Sequence, residues 1–397
     1  MLKVLVHDYA GHPFQFKLAE ELSKKIEVHY LYFINDAGPK GNFFNIKNKN
    51  LHVEPVGYDI KYNKENFIMR LFNDIKYGLC VAKIINKIKP DIVLSGNTPT
   101  FAQQCIIKSA KKNNSKFIFW VQDFYSLAVK NILEKKFKYL SVPIALVFKY
   151  MEKIQLYKSD NIIVISDSFI PMLNKWGIFE DINHIPNWGN LDNLNNNENK
   201  DNDFSKQNNL NPEKFRLLYT GTLALKHNPD IIIKIAEFNP DIELLIVAAG
   251  SGYKKLLNSN NLPSNIKLLP LQPFEIFNNV LNTSDICLAI LNKDASNFSV
   301  PSKILNYLCV ERPILMFAPK DNLASKTIIE ANAGKVFSSE DFEESTLFIN
   351  KLIKDREYKN QLSNSAGKYA KENFDINIIA NKFLDIFIKL KPEKKSQ

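Results

Sequence analysis

Residues 217–230 read LLYTGTLALKHNPD, an apolar strand followed by a short loop and the start of a helix. Gly221 permits the turn, while Asn228 and Pro229 stand where an N-cap and a first helical residue are expected. Such a unit directs backbone N–H groups and the positive end of a helix dipole toward one place, where Lys226 adds a cation. The stretch predicts a phosphate site, although an ordinary βα turn with a solvated lysine has the same sequence.

Short apolar runs alternate with amphipathic helical segments over both halves of the chain. The pattern predicts an α/β protein with two tandem Rossmann-like domains, each a mostly parallel sheet with helices on both faces. The predicted strands are residues 3–7, 26–33, 91–95, 116–121 and 161–166, then 215–220, 243–248, 265–269, 286–290 and 313–317. The domains cover residues 1–187 and 188–374, with 190–211 as a polar linker or loop that orders poorly. Residues 375–397 form a final amphipathic helix and a polar tail.

The composition is that of a basic globular protein. Of the 397 residues 45% are hydrophobic, and the formal net charge is +10 with a pI of about 9.1. This charge favours an acidic partner, which could be a nucleotide, a nucleic acid or an anionic membrane surface. Because no aromatic platform or nucleic-acid-binding motif accompanies it, we expect no nucleic-acid partner.

The spacing of cysteines and histidines indicates neither a disulfide nor a metal site. The four cysteines lie far apart without a CxxC pair, and the six histidines lack HxxxH spacing. We therefore expect free thiols in a reducing compartment and no structural metal. A signal peptide and an apolar run long enough to cross a bilayer are both missing from the sequence, so we expect a cytoplasmic protein that is at most peripheral to a membrane.

Two loops of the first domain carry polar residues at the ends of predicted strands. In HDYAGHPF (7–14), Gly11 permits close approach of the backbone to a ligand and His12 precedes a helix-opening proline. Gln122 and Asp123 follow another apolar strand, where the hydroxyl groups of a sugar would satisfy them. A plain exposed turn explains His12 equally well, and Asp123 can instead cap the next helix.

Two turns of the second domain offer further places for phosphate groups. The turn AAGSG around Gly250 can present backbone N–H groups to a base or phosphate, or be ordinary βα punctuation. In VPSKILNYL (300–308), Ser302 can cap a helix that carries Lys303 in its first turn. A cation there opposes the helix dipole and is unfavourable unless an anion lies between them. Lys226 and Lys303 together therefore predict a diphosphate site.

Residues 128–158 mix lysines with large apolar side chains in a helical run that is interrupted near Pro143. This composition suits the interface of an anionic membrane. A core helix with a solvated lysine face has the same pattern. We expect this segment to contact the inner membrane surface.

Six segments, in their order and spacing, resemble glycosyltransferase family 4. They are HDYAGHPFQ from His7, WVQDFYSLAV from Trp120, IVISDSF to IPNWGNLD over Ile163–Asp192, LYTGTLALKHNPD from Leu218, LQPFEIF from Leu271 and VPSKILNYLCVERPIL from Val300. The resemblance covers nearly the whole chain. It is strongest to the bacterial cell-surface polysaccharide branch, which includes the colanic-acid and N-acetylfucosamine transferases.

The resemblance implies the GT-B fold, with a donor cleft between two Rossmann-like domains and a C-terminal helix that crosses back to the first. It implies a retaining hexosyltransferase that needs no metal or other cofactor and works at the cytoplasmic face of the inner membrane. The donor would be a nucleotide-sugar, UDP-linked and N-acetylated, and the acceptor a polyprenyl-diphosphate-linked saccharide of O-antigen or capsule synthesis.

The resemblance also implies roles for single residues. Lys226 and Lys303 would stabilise the leaving diphosphate, and Asp123 or His12 would orient the acceptor hydroxyl. The residues implied for donor binding are Gly11, Gly221, Thr222, Gly250, Ser302, Asn306 and Phe274, and those for acceptor binding are His12, Gln122 and Asp123.

The sequence departs from many members of that family at two places. Phe298 and Asn306 occupy the positions of a Glu-x7-Glu pair, so carboxylate contacts to the ribose and sugar are not implied. Gln122 stands where many relatives have histidine. A nucleotide-sugar 2-epimerase of the same architecture and a non-catalytic sugar- or nucleotide-binding protein are the alternatives.

Overall fold

The chain divides into two compact units, Met1–Asn187 with Ile376–Gln397, and Trp188–Asp375. The computed structural model describes residues 1–35, 48–57, 67–127, 129–130, 141–189, 191, 194, 196, 200–224, 227–291 and 302–391. Over these ranges no helix is both long and apolar enough to cross a membrane.

The first unit is built on a seven-stranded parallel sheet. Its strands are β1 (Lys3–Asp8), β2 (Glu27–Phe33), β3 (Leu51–Val56), β4 (Ile92–Gly96), β5 (Lys116–Val121), β6 (Asn161–Val164) and β7 (Ile182–His184). Its helices include α1 (Pro13–Leu22), α2 (Phe67–Ile88), α3 (Thr100–Lys112), α4 (Ser141–Tyr157) and α5 (Ile170–Lys175). The strand order is β3-β2-β1-β4-β5-β6-β7, so the direction of winding reverses between β1 and β4.

The second unit repeats this plan with six parallel strands. They are β8 (Arg216–Thr222), β9 (Glu243–Ala249), β10 (Ile266–Pro270), β11 (Ile286–Ile290), β12 (Ile314–Phe317) and β13 (Gly334–Phe337), in the order β10-β9-β8-β11-β12-β13. The helices are α6 (Asp203–Gln207), α7 (Asp230–Phe238), α8 (Ser251–Leu257), α9 (Phe277–Asn282), α10 (Ser302–Cys309), α11 (Leu323–Glu330), α12 (Phe342–Lys354) and α13 (Arg356–Asn373). Here the winding reverses between β8 and β11.

The last helix, α14 (Ile376–Leu390), is part of the first unit. Its buried face packs against α1, and the ring of Phe383 meets that of Trp120 edge-on with 5.0 Å between centroids. Lys25 Nζ donates a hydrogen bond of 2.7 Å to Asn381 Oδ1 at the edge of this contact.

Within the polar stretch 190–211, the described residues 200–211 include a short packed helix. This helix is α6, whose first turn is capped by Asn202 through a 3.1 Å hydrogen bond from the Ser205 N–H. Phe204 and Leu210 are buried within the second unit. The prediction of a poorly ordered linker was wrong for these residues, because a few apolar side chains and one cap are enough to hold a short helix against a larger core.

All ten predicted strands are present, and the additional strands β3, β7 and β13 lie at sheet edges. In a doubly wound sheet, ligands bind beyond the carboxyl ends of the strands where the winding reverses. The loops after β1 and β4, and those after β8 and β11, are therefore the places to look for a site.

A fully buried arginine anchors the start of β8. Arg216 Nε donates to a carboxylate oxygen of Glu243, Nη1 donates to the carbonyl oxygen of Thr283 at 2.8 Å, and Nη2 donates to that of Asn211 at 2.8 Å. The planar guanidinium thus joins the starts of β8 and β9 to the turn before β11. The position of β8 depends on these three hydrogen bonds of Arg216.

We expect Arg216→Gln to lower the free energy of unfolding of the second unit by about 3–5 kcal/mol, because the half-buried carboxylate of Glu243 and two carbonyl groups lose their donor. Urea denaturation followed by circular dichroism measures the loss. Lys255→Gln is the control: Lys255 pairs with Asp230 on the surface at 2.7 Å, and its loss should change stability by about 0–1 kcal/mol. Equal effects of the two changes would contradict the anchoring role.

Candidate functional site

Asp8 and His12 form a pair at the carboxyl end of β1. Asp8 is fully buried, and its Oδ2 accepts a 2.5 Å hydrogen bond from the backbone N–H of His12 and lies 3.2 Å from His12 Nδ1. The loop between them turns at Gly11, whose φ of +73° is a left-handed conformation that favours glycine. A carboxylate on Nδ1 fixes the orientation of an imidazole and makes Nε2 the more basic nitrogen. The sequence pointed to His12 but not to Asp8, which positions it.

Asn97 brings the loop after β4 to the same place. Its Nδ2 lies 3.4 Å from His12 Nδ1, and its φ of +51° shows a tight turn directly after Gly96. Gln15, on the first turn of α1, lies beside Gly96 and is fully buried. Neither amide atom of Gln15 has a hydrogen-bond partner among the described residues. A buried amide without a partner costs about 1–3 kcal/mol, which a polar ligand group could offset.

The buried side chain of His7 joins β1 to the loop after β4 and to α2. Its Nε2 lies 2.7 Å from the hydroxyl of Tyr77, and its Nδ1 lies 2.9 Å from Ser95 Oγ and 3.1 Å from Thr98 Oγ1. Complete burial lowers the pKa of His7 to about 4, so the ring is neutral at pH 7. His7 is therefore a structural link between β1, β4 and α2.

The loop after β5 contains Gln122 and Asp123. Gln122 is half-buried and its Oε1 accepts a 2.8 Å hydrogen bond from Asn187 Nδ2, while its own Nε2 has no partner among the described residues. Asp123 is exposed and accepts from the N–H of Phe124 at 2.8 Å.

The helical turn after Asp123 is capped from another helix. Glu152 of α4 accepts hydrogen bonds from the N–H groups of Tyr125 at 2.7 Å and Ser126 at 3.1 Å. Burial raises the pKa of this carboxyl to about 7. Glu152 thus accepts from two N–H groups that a capping Asp123 would otherwise bind.

Lys303 occupies the point of reversal in the second unit. Its Nζ lies 3.7 Å from the centroid of the Tyr219 ring, and a Cβ added to Gly221 would lie 3.9 Å from the same atom. Tyr219 is in turn fixed by a 2.8 Å hydrogen bond from its hydroxyl to the carbonyl oxygen of Thr222. The structure thus brings Gly221 and Lys303, which were predicted separately, to one place.

Lys303 is half-buried against the Tyr219 ring. No charged group among the described residues contributes to its electrostatics, and desolvation lowers the pKa of Lys303 to about 7. The contact with an aromatic face stabilises a cation only partly. A lysine held in this way is suited to an anionic ligand.

Tyr307 fixes the helix that carries Lys303. Its buried hydroxyl accepts from the N–H of Thr220 at 3.2 Å and donates to the carbonyl oxygen of Leu288 at 3.2 Å, so α10 is joined to β8 and β11. Asn306 is half-buried on the same helix. Ser302 was predicted to be the N-cap of α10. In the structure it is exposed and is the first helical residue, one position inside the helix. Sequence reasoning missed both tyrosines. Tyr219 is far from Lys303 in the sequence, and Tyr307 looks like an ordinary core residue in the hydrophobic pattern of its helix.

The turn after β8 uses several of its own backbone donors. The N–H of Leu223 donates to Ala249 at 2.8 Å, and that of Ala224 donates to His227 Nδ1 at 3.2 Å. The predicted phosphate site therefore cannot use these two groups without rearrangement. Lys226 lies outside the described residues.

The start of the next helix also differs from the prediction. α7 begins at Asp230, whereas Asn228 has a left-handed φ of +49° and Pro229 lies before the helix. The predicted N-cap at Asn228 was wrong, because His227 closes a tight turn onto Ala224 and delays the helix.

The turn around Gly250 is tightly packed against the turn after β8. Gly250 has a φ of +116°, and a Cβ there would lie 2.7 Å from the carbonyl oxygen of Leu223. That oxygen also accepts from the N–H groups of Gly252 at 2.8 Å and Tyr253 at 3.2 Å, so these donors are occupied. Thr222 is exposed at the end of β8. Phe274 begins a short 3-10 turn, and its side chain is not among those that the structure describes.

Comparisons with known proteins agree with this architecture. The chain is 26% identical over 231 residues to the putative colanic acid biosynthesis glycosyl transferase WcaI of Escherichia coli (strain K12), a match that spans 56% of each chain. Sucrose-phosphate synthase from Thermosynechococcus elongatus is similar in structure with a TM-score of 0.76 at 13% identity, covering 98% of this chain and 99% of that one. Anabaena Alr3699/HepE in complex with UDP-glucose is similar in structure with a TM-score of 0.69 at 13% identity, and the match covers 98% of this chain and 100% of that one.

These likenesses establish the fold. The two parallel sheets of seven and six strands with their helices are those of the GT-B fold, as the sequence resemblance implied. The chain resembles a colanic-acid glycosyltransferase over just over half the length of that relative. No family model matches the chain.

We expect the stability conferred by His7 to depend on pH. Its pKa is about 4 in the folded protein, below the ordinary 6.5, so between these values the unfolded chain binds a proton that the folded chain does not. This contribution is complete above pH 6.5 and is lost as the pH falls toward 4. From pH 6.5 to 4.5, the free energy of unfolding of the wild type should fall by up to about 1.4 kcal/mol per pH unit more than that of His7→Asn.

Urea denaturation at a series of pH values measures this difference. The raised pKa values of Asp74, about 6, and Glu152, about 7, give slopes of opposite sign, but they are common to both proteins and cancel in the comparison. His184→Asn, at an exposed histidine, is the control for the loss of a histidine side chain. Parallel curves for the wild type and His7→Asn would contradict the neutral, buried state of His7.

Proposed function

We propose that this protein is a retaining, metal-independent glycosyltransferase that uses a nucleoside diphosphate sugar. The observation that carries the proposal is the desolvated Lys303, without a carboxylate partner among the described residues, at the point where the winding of the second sheet reverses. The sugar is N-acetylated and UDP-linked, and the acceptor is a polyprenyl-diphosphate-linked saccharide of O-antigen or capsule synthesis. The likeness to a putative colanic acid glycosyl transferase and to a fold seen with UDP-glucose supports this assignment.

The second unit binds the donor diphosphate. A diphosphate beside Lys303 Nζ lies against the first turn of α10, where the positive end of the helix dipole adds to the attraction. The dipole disfavours a cation at this end of a helix, and an anion between the two reverses that effect. The small Gly221 leaves space at the lysine head group, and Lys226, five residues later in the sequence, is a second candidate cation.

Charge that develops on the leaving diphosphate is stabilised by groups already in position. Lys303 cannot move far, because Tyr219 lies beneath its ammonium group and Tyr307 fixes its helix. Preorganised cations of this kind stabilise the transition state without reorganisation at the moment of reaction. The acceptor hydroxyl attacks the anomeric carbon from the face that the diphosphate leaves, and the leaving phosphate oxygen takes its proton, so no protein nucleophile is required.

The first unit binds the acceptor. His12, oriented by Asp8, holds the attacking hydroxyl, and the amides of Gln122 and Gln15 accept or donate hydrogen bonds to sugar hydroxyls. Their unpaired atoms are what a polar acceptor would satisfy. Asp123 is exposed on the same loop as Gln122 and offers a carboxylate to the acceptor.

A calorimetric titration with UDP, in the absence of divalent metal, tests the donor site. Lys303→Met should weaken binding and reduce sugar transfer at least tenfold, about 1.4 kcal/mol, because the diphosphate loses its partly desolvated cation. Lys351→Met is a matched control, since Lys351 Nζ also lies 3.7 Å from a tyrosine ring, that of Tyr358, but on an exposed surface. Equal behaviour of the two variants would refute the site.

The same titration has a pH dependence of known sign. The pKa of Lys303 is about 7 in the protein without ligand. A bound diphosphate raises this pKa, so binding is accompanied by uptake of a proton. From pH 7 to 9 the affinity of the wild type should fall, by at most about tenfold per pH unit. Lys303→Arg, which stays charged, should show no such fall if it still binds.

We infer that α4 attaches the protein to an anionic membrane. Leu146, Val147 and Tyr150 are 58%, 53% and 67% exposed on one side of this helix, with Lys149 exposed between them. Large apolar side chains bordered by lysine suit the boundary of lipid head groups and acyl chains, and the net charge of +10 adds attraction to anionic lipid. Residues 131–140 of the predicted membrane segment lie outside the described residues.

Sedimentation with phosphatidylglycerol-containing vesicles tests this attachment. The double change Leu146→Ser and Val147→Ser should reduce the bound fraction at least severalfold, because the apolar area that enters the lipid is lost. Leu347→Ser in the second unit is the control, since Leu347 is 69% exposed and should not contribute. Equal binding by the double variant and the wild type would exclude α4 as the contact.

A further inference from the structure

Two histidines and a glutamate meet on one face of the first sheet. Glu27 and His29 are two residues apart on β2, so their side chains project to the same face. His52 on the edge strand β3 is the register partner of His29. We call Glu27, His29 and His52 the edge cluster.

The spacing within the edge cluster is that of ligands around one ion. His29 Nε2 lies 3.0 Å from Glu27 Oε1, and one ligand atom from each of the three residues lies within 4.8 Å of the other two. Ligands about 2.0–2.2 Å from a tetrahedral zinc ion are separated from each other by roughly 3.3 Å. His52 is exposed, so packing in the core does not hold its ring in one orientation.

Core packing does not account for the edge cluster. The rings of the half-buried His29 and the exposed His52 are stacked with centroids 4.6 Å apart. Lys3 Nζ lies 3.4 Å from Glu27 Oε1, so a cation already stands beside the carboxylate. A divalent ion in the cluster would be attracted by the same carboxylate and would be bound by both imidazoles as well.

We propose that Glu27, His29 and His52 bind one zinc ion, which joins the edge strand β3 to β2. Two imidazoles and one carboxylate suit zinc, whereas magnesium and calcium prefer oxygen ligands alone. The cluster lies at the amino end of β2, away from the carboxyl edge that carries Asp8 and His12, so the ion has no part in sugar transfer. Sequence spacing did not reveal the site, because its ligands come from two neighbouring strands.

Zinc binding to this cluster requires the folded sheet. The ligands on β2 and β3 come together through strand pairing, so the ion binds the folded state and stabilises it. It also adds a second link between β2 and the edge strand β3, which pairs with no other described strand.

Isothermal titration of zinc into the chelator-treated, reduced full-length protein tests the proposal. His52→Ala should lose one bound equivalent or at least tenfold in affinity, and zinc should raise the melting temperature of the wild type more than that of the variant. His184→Ala is the matched control, because His184 is an exposed strand histidine at the opposite edge of the same sheet. The four cysteines are common to all three proteins, so zinc bound to thiols cancels in the comparison.

Three results would overturn the proposal. One is the failure of the wild type to bind zinc at micromolar concentration. Another is identical zinc binding by His52→Ala and the wild type. The third is an equal loss in His184→Ala, which would show nonspecific binding to surface histidines.

Discussion

Parallel pairing of strands is the constraint on which the rest of this structure depends. Every strand pair described in the two sheets is parallel, and a parallel strand can follow another only after the chain has crossed back over the sheet. Each strand therefore ends at the same edge, and the loops that follow β1 and β4, or β8 and β11, lie side by side. The candidate site residues lie at these two edges because the loops that carry them follow the carboxyl ends of parallel strands.

The two edges differ in how their charged side chains are paired. In the first unit a buried carboxylate, Asp8, is satisfied by a backbone N–H and an imidazole, so charge and hydrogen bonding are matched within the loop. In the second unit Lys303 is desolvated over Tyr219 without a matching carboxylate among the described residues. The charge at the first edge is matched within its own loop, whereas Lys303 at the second edge has no carboxylate partner among the described residues. This difference supports the division into acceptor and donor binding.

The sequence predicted the parts of the fold that local patterns encode. Central strands such as β4 and β11 are buried on both faces and appear as continuous apolar runs. The edge strands β3, β7 and β13 have one neighbour and mixed composition, including a proline in β3, so the same criterion missed them. The prediction of the site was limited in the same way. His12 and Lys303 follow from their positions in βα turns, but the ring beneath Lys303 is 84 residues earlier in the chain and no local pattern links the two.

The first unit takes its final helix from the end of the chain. Residues 188–375 form a contiguous unit, whereas α1 and Trp120 are covered by α14, which is synthesised about two hundred residues after Asn187. At a ribosomal rate of about 5–20 residues per second, this surface waits roughly 10–40 s for its partner. During translation the second unit can close its core before the first one does. A growing chain therefore exposes apolar surface at its beginning until its last helix has emerged, which makes the nascent protein a substrate for chaperones at its older end.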